Sequence, residues 1–257
     1  MYKALITDLD GTAVSIASNG SDINDATKRA VHKATRAGKK LACATGRDWK
    51  IAQPIITKLG FTSPCIIDGG TRIVEPTTGK TLWEKTLEEN VPDQILGILK
   101  SETKTGLIMH SLDATCQPLN TIESLPSTLH FVYLLSVSEE TAVRVSNKLN
   151  VQRYAVAYFT PAWSGDGLVD IHITHPQATK EHAIKVWQKR EGVTKEEVIG
   201  LGDSGNDIPI FQSSGLKVAV GNATPSLKQL ADYIAPSVDD QALEYVINTF
   251  LLGFPTS

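Results

Sequence analysis

The amino-acid sequence predicts an α/β fold, in which a doubly wound parallel sheet is interrupted by a second, inserted α/β domain. Three observations predict it. Short apolar runs alternate with amphipathic helical stretches through roughly the first seventy residues. Several of the apolar runs end in acidic or small polar residues, and in open parallel sheets the carboxyl ends of the strands are where ligands bind. The alternation stops near Leu87 and resumes near Thr179, and the stretch between has strands and helices but no acids at its strand ends. The expected division is a Rossmann-like core of residues 1–86 and 174–257, and an insert of residues 87–173.

Each element has its own reason. Ala4-Leu5-Ile6 is a short buried strand that runs into Asp8, Asp10 and the turn residue Gly11. Ala26 to Ala37 carries apolar residues at helical spacing and stops at Gly38. Leu41 to Ala44 is a second strand, ending in Thr45-Gly46-Arg47. A helix is expected from about Asp48 to Leu59, bent by Pro54 and closed by Gly60. Pro64 to Ile67 is the third strand, and the runs flanking Pro76-Thr77-Thr78-Gly79 read as a hairpin. Within the insert, helices are expected near Asp93–Glu102 and Glu139–Leu149. Its strands are expected near Gly106–Ser111, Phe131–Val137, Tyr154–Phe159 and Leu168–Ile173. A helix from Thr179, strands at Val198–Leu201 and Leu216–Val220, and helices near Ser226–Ala231 and Ala242–Leu251 complete the core.

Composition excludes several classes of function. A net charge of -3 leaves no basic footprint for nucleic acid. No apolar run approaches the length needed to cross a bilayer, and Met1-Tyr2-Lys3 leads directly into a strand. Neither a membrane span nor a signal peptide is expected, and the cytoplasm is the expected compartment. Cys43, Cys65 and Cys116 match no zinc spacing, and the first two fall in strand-like runs as small core residues. His172 and His175 have opposite parity on a strand, so they do not form a metal site with His182.

The chemistry lies at the strand ends. Asp8 and Asp10 follow the first strand, Thr45 the second, and Asp203 and Asp207 a late one, with Lys180 opening the helix before it. Two unit charges about 4 Å apart repel by ~4 kcal/mol at an effective dielectric of about 20. Four carboxylates around one cleft therefore call for a divalent cation, and hard oxygen ligands suit magnesium. A carboxylate free to attack phosphorus forms an aspartyl-phosphate. The Thr45 hydroxyl and the Lys180 ammonium are the groups needed to hold phosphoryl oxygens.

With these residues in order, the chain resembles the haloacid dehalogenase-like phosphohydrolases, in their Cof-type (subclass IIB) branch. The motifs are Asp8-Leu9-Asp10-Gly11-Thr12, Ala44-Thr45-Gly46-Arg47, Lys180, and Gly202-Asp203-Ser204-Gly205-Asn206-Asp207, trailed by Val218 to Ala223. The resemblance implies that the insert is a cap domain. It makes Asp8 the nucleophile and a magnesium ligand. It makes Asp10 the general acid and then base, with its backbone carbonyl on the metal. Asp203 becomes a metal ligand and Asp207 supports the metal site. Thr45 and Lys180 bind the phosphoryl group, with Asn206 beside it, and Gly46 and Arg47 sit where substrate is met. Two departures bear on substrate handling. Gly69-Gly70-Thr71 stands where the branch usually has Asn-Gly-Ala, and Asp240-Gln241-Ala242 where it has an acid, glycine and valine.

The activity implied is a magnesium-dependent phosphatase acting on a small phosphorylated metabolite, such as a sugar phosphate. A phosphomutase of the same superfamily is the alternative, and a phospho-acceptor signalling module is a third. Asp10 argues against the last, because an acid-base group beside the nucleophile promotes dephosphorylation. Trp163, in the turn-rich run Pro161 to Gly167, is a candidate substrate-facing aromatic in the insert. The sequence names no oligomeric state.

Overall fold

In the computed structural model, described for residues 1–16, 18, 20, 21, 23–162 and 167–253 and without side chains at positions 113 and 114, the chain opens on a fully buried strand. This is β1 (Ala4–Thr7). Helix α1 (Asp25–Arg36) starts at Asn24, whose side-chain oxygen accepts the Thr27 N–H at 2.8 Å, and it buries Ala30, Val31 and Ala34. Strand β2 (Lys40–Cys43) follows. Helix α2 (Trp49–Leu59) is capped by Asp48, continues through Pro54, and ends at Gly60 with φ 79°. Strands β3 (Cys65–Ile67), β4 (Arg72–Val74) and β5 (Thr81–Glu84) form a small sheet of their own, in which β4 and β5 are the expected hairpin.

The inserted segment adds α3 (Val91–Glu102), β6 (Leu107–His110), β7 (Asp113–Pro118), β8 (Phe131–Val137), α4 (Glu139–Gln152), β9 (Val156–Pro161) and β10 (Val169–Thr174). Its sheet runs β7-β6-β8-β10-β9, with antiparallel pairs. Ile95, Leu99, Val132, Leu134, Val145, Leu149, Ile171 and Ile173 fill a hydrophobic core that belongs to this segment alone. Strand β7 departs from the expected pattern. Its sequence is polar, its residues from Thr115 onward are exposed, and it lies at the sheet edge, so no burial imposes an alternating pattern on it.

The chain returns with α5 (Lys180–Glu191), β11 (Val198–Gly202), α6 (Ile208–Gln212), β12 (Leu216–Ala219), α7 (Pro225–Lys228), β13 (Tyr233–Ile234) and α8 (Ala242–Val246), which continues as a π turn over Ile247–Leu251. The main sheet is parallel, in the order β13-β12-β11-β1-β2, and a parallel bridge from Ala44 to Ile66 brings β3 alongside it. Helix α1 packs with α2 and α8, and α5 packs with α6. Strand β1 lies between β2, which follows it, and β11, which arrives much later, so the strand order reverses there. Such a switch point opens a crevice at the carboxyl ends.

Two compact units result, Met1–Trp83 with the segment from Lys180 onward, and Glu84–Thr179. Glu84, the first residue of the second unit, has its carboxylate 2.8 Å from the His130 ring. Among the described residues, no helix is long and apolar enough to cross a membrane.

Candidate active site

The residues at the carboxyl end of β1 are held by backbone geometry before any side chain acts. The Asp8 N–H donates to the Leu201 carbonyl at 3.1 Å, which extends the β1–β11 ladder by one residue and buries Asp8. Two residues on, the chain turns, with the Gly11 N–H on the Val14 carbonyl at 2.8 Å. Gly11 has φ 71°, and a Cβ there would lie 2.8 Å from Asp203 Oδ2, so both conformation and space require glycine. Thr12, also buried, donates its hydroxyl to Asp203 Oδ1 at 3.1 Å. Asn222 pins the same turn from outside. Its Nδ2 donates to the Gly11 carbonyl at 2.8 Å, and its Oδ1 accepts the Val238 N–H at 2.9 Å.

At the end of β11, Gly202 leaves room for the Asp207 side chain, whose Cβ would be 2.6 Å from a Cβ at that position. Asp207 is fully buried and its carboxylate is used on both oxygens. Oδ2 accepts the N–H groups of Asp203 (3.0 Å) and Ser204 (3.3 Å), which folds the loop into a capping box. Oδ1 accepts Lys180 Nζ at 3.0 Å, and the same ammonium donates to Asp8 Oδ1 at 2.9 Å. Lys180 is the first residue of α5 and is buried. At the end of β2, Thr45 is buried and its hydroxyl accepts the Arg47 N–H at 3.2 Å. Main-chain bonds from Gly69 to the Thr45 carbonyl (3.0 Å) and from Asp68 to the Arg47 carbonyl (2.9 Å) tie this loop to the next.

The electrostatics are those of crowded acids. One oxygen from each of Asp8, Asp203 and Asp207 falls within 4.8 Å of the others, and among the described residues this is the one such group of three possible ligands. Burial raises Asp8 to about 8 against the pull of the Lys180 charge, and Asp207 adds to the rise. Burial, followed by the Asp207 charge, raises Asp203 to about 7. Burial works to lower Lys180, but Asp207 and Asp8 outweigh it and lift its pKa above the ordinary lysine value. One ammonium does not balance three buried carboxyl groups, and the raised values of Asp8 and Asp203 are the sign of it, because the ionised forms lack enough positive charge beside them. A hard divalent cation on oxygen ligands supplies what is missing, so the donor set fits a metal of that kind.

The remaining candidates divide. Asp10 is half-buried and is gripped by Arg47, whose Nε donates to Oδ2 at 2.8 Å and whose Nη2 donates to Oδ1. The family resemblance puts Arg47 where substrate is met and does not pair it with Asp10. The two are 37 residues apart, on different strand-end loops, and no local spacing links them. Gly46 lies between the two held residues, and a Cβ there would meet nothing within 4 Å, so neither packing nor a positive φ requires glycine. Asn206 is exposed, and its Oδ1 accepts the Ser204 hydroxyl at 2.7 Å. Trp163 lies outside the described residues. Cys43 and Cys65 are core residues, as expected. His172 stacks on Tyr133 (centroids 4.3 Å apart), while the His175 Nδ1 accepts the Gln177 N–H at 2.9 Å, so the histidines serve local packing and turn geometry.

The model of one family, haloacid dehalogenase-like hydrolase, matches residues 5–247. The stress response protein YhaX of Bacillus subtilis is 23% identical over 97% of this chain and 94% of its own length. A phosphoglycolate phosphatase of Sulfolobus acidocaldarius is 22% identical over 98% of each chain. Among solved structures, BT1666 from Bacteroides thetaiotaomicron, described among the phosphatases of the haloalkanoate (HAD) enzyme superfamily, is 20% identical. It superposes with a TM-score of 0.79, over 97% of this chain and 95% of that one.

Proposed function

The chain belongs to the haloacid dehalogenase-like hydrolases, and from that membership we propose a magnesium-dependent phosphatase that cleaves a small phosphorylated metabolite, such as a sugar phosphate, by way of an aspartyl-phosphate on Asp8. The observation that carries the reading is the setting of Asp8. It is a buried carboxylate at a sheet switch point, held on one oxygen by Lys180, with Asp203 and Asp207 in the same cluster. The full-length likeness to a phosphoglycolate phosphatase supports a phosphomonoester and puts phosphoglycolate on the panel to be tested.

Asp8, Asp203 and the main-chain carbonyl of Asp10 would hold the magnesium, with Asp207 supporting them. When bound, the metal neutralises charge on the phosphoryl oxygens and on the carboxylates. The residues supply the rest. Asp8 attacks phosphorus while the bond from phosphorus to the ester oxygen breaks, and Asp10 gives its proton to that leaving oxygen. Asp10, now a base, takes a proton from water, which attacks the aspartyl-phosphate to free inorganic phosphate and the Asp8 carboxylate. Lys180 and the Thr45 hydroxyl hold phosphoryl oxygens in both steps, and Gly46 and Asn206 border the bound ester. All these groups address the phosphoryl end, which every phosphomonoester shares. Choice among substrates rests on other surfaces, and the inserted unit, as a cap, would supply them.

The test is Asp8→Asn, which keeps the shape and removes the attacking charge. Phosphate release from p-nitrophenyl phosphate and from a panel of sugar phosphates and phosphoglycolate, with magnesium present, is expected to fall by at least about 10³-fold. The far-ultraviolet circular dichroism should stay as in the wild type. Turnover near the wild-type rate in pure Asp8→Asn protein would refute the assignment.

A further inference from the structure

The geometry points to Arg47 as a positioning residue that acts through Asp10 rather than on the substrate. This rests on the reading of Asp10 as the acid that protonates the leaving oxygen. Asp10 stands past the end of β1 with 30% of its side chain exposed, and among the described residues Arg47 donates to both of its carboxylate oxygens. Arg47 thereby fixes the plane of the carboxylate. The guanidinium donates from Nε to one oxygen and from Nη2 to the other, a two-pronged geometry that lysine cannot reproduce. The Arg47 side chain is only 8% exposed, and a guanidinium that buried is costly unless paired. Its backbone is anchored on both sides, by the N–H on the Thr45 hydroxyl and by the carbonyl under the Asp68 N–H.

The two cations of the site divide the acids between them. Lys180 holds Asp8 and Asp207, while Arg47 holds Asp10. Each carboxylate oxygen has two lone pairs, so a two-pronged arginine leaves one on each oxygen to carry or receive a proton. Arg47 therefore orients Asp10 without occupying the position from which the proton passes to the ester oxygen as the bond to phosphorus breaks. The effect of losing Arg47 should then depend on how much the leaving group needs that proton.

The experiment measures kcat/KM on two esters with magnesium, for wild type, Arg47→Ala, Arg47→Lys, Asp10→Asn and the double variant Asp10→Asn/Arg47→Ala. An alkyl phosphate leaves as a strongly basic alkoxide and needs the acid. p-Nitrophenyl phosphate leaves as a stabilised phenolate and does not. Positioned general acids contribute about 10²–10⁴-fold. Arg47→Ala is expected to lower kcat/KM for the alkyl ester by about 10²-fold and for p-nitrophenyl phosphate by less than about threefold. Arg47→Lys should lose nearly as much as the alanine variant, and in the Asp10→Asn background the loss of Arg47 should add less than about twofold. The Kd for inorganic phosphate should be unchanged in Arg47→Ala. Equal losses on both esters, a phosphate Kd weakened tenfold, or an undiminished effect of Arg47→Ala in the Asp10→Asn background would each overturn the proposal. A different result would sink the underlying reading instead: Asp10→Asn itself failing to discriminate between the esters. Arg47→Lys keeps the buried charge, so it covers the case in which the alanine variant does not fold.

Discussion

Gln241 illustrates how one residue can hold strain that a sequence shows only as a departure. It occupies the position where the Cof-type branch usually has glycine, and its backbone sits at φ 65°, ψ 44°. A side chain in the left-handed region costs roughly 1–2 kcal/mol, and glycine gives back part of that through its greater freedom in the unfolded chain. Gln241→Gly is expected to stabilise the protein by about 0.5–1 kcal/mol, read as a rise in the midpoint of urea unfolding at unchanged slope. A fall in the midpoint would mean that the glutamine side chain makes contacts worth more than the strain. At this scale the sequence shows a residue's chemistry where it is intrinsic, as for the carboxylate of Asp8 and the ammonium of Lys180, which the fold brings to within a hydrogen bond of each other. It was not legible where the role is relational. That Asp10 should be gripped by Arg47, or that Asn222 should staple the Gly11 turn to Val238, depends on loops brought together only by the finished sheet.

At the scale of elements, burial decided what could be read. Strands β1, β2, β3 and β11 are almost wholly buried, so they appear in the sequence as continuous apolar runs with a polar end. Strand β7, helix α6 and the two-residue strand β13 are not among the expected elements; β13 and the residues of β7 from Thr115 onward are exposed at sheet edges, and α6 is only five residues long. The loop after β11 is different again, because it is an element built on one carboxylate. Asp207→Ala would leave Lys180 short of a partner and uncap the Asp203 and Ser204 N–H groups. Removing one member of a buried ion pair costs about 3–5 kcal/mol, so guanidinium denaturation should show a loss of that order. A loss under about 1 kcal/mol would show that the loop is held by something else.

The whole molecule is two hydrophobic cores on one chain, and the acidic cluster belongs to one of them. A ligand at a hundred times its dissociation constant adds about 2.7 kcal/mol to the state that binds it. Magnesium is therefore expected to raise the melting temperature of the wild type and to have little effect on Asp203→Ala. Hydrogen exchange should show the added protection in 1–83 and 180–253, with 84–179 unchanged. Equal slowing in both units, or an equal thermal shift in Asp203→Ala, would put the metal elsewhere. The sequence points to an insert at 87–173 because the alternation of strand and helix stops and restarts there and the acids at strand ends stop with it, whereas the compact units divide after Trp83 and before Lys180.

The central place of β1 also has a meaning in time. Its neighbour on one side, β2, is made within the next forty residues or so, but its other neighbour, β11, is roughly 190 residues away. At a synthesis rate of 5–20 residues per second, β1 would wait ~10–40 s with one edge bare while the intervening chain emerges. Over the same interval Asp8 has no Lys180 to meet, whereas the contiguous segment 84–179 already holds every strand of its own sheet. The inserted unit is thus free to finish folding on the ribosome before the core that precedes it. An unprotected strand edge of this kind is the point at which newly made chains of this protein would need a chaperone.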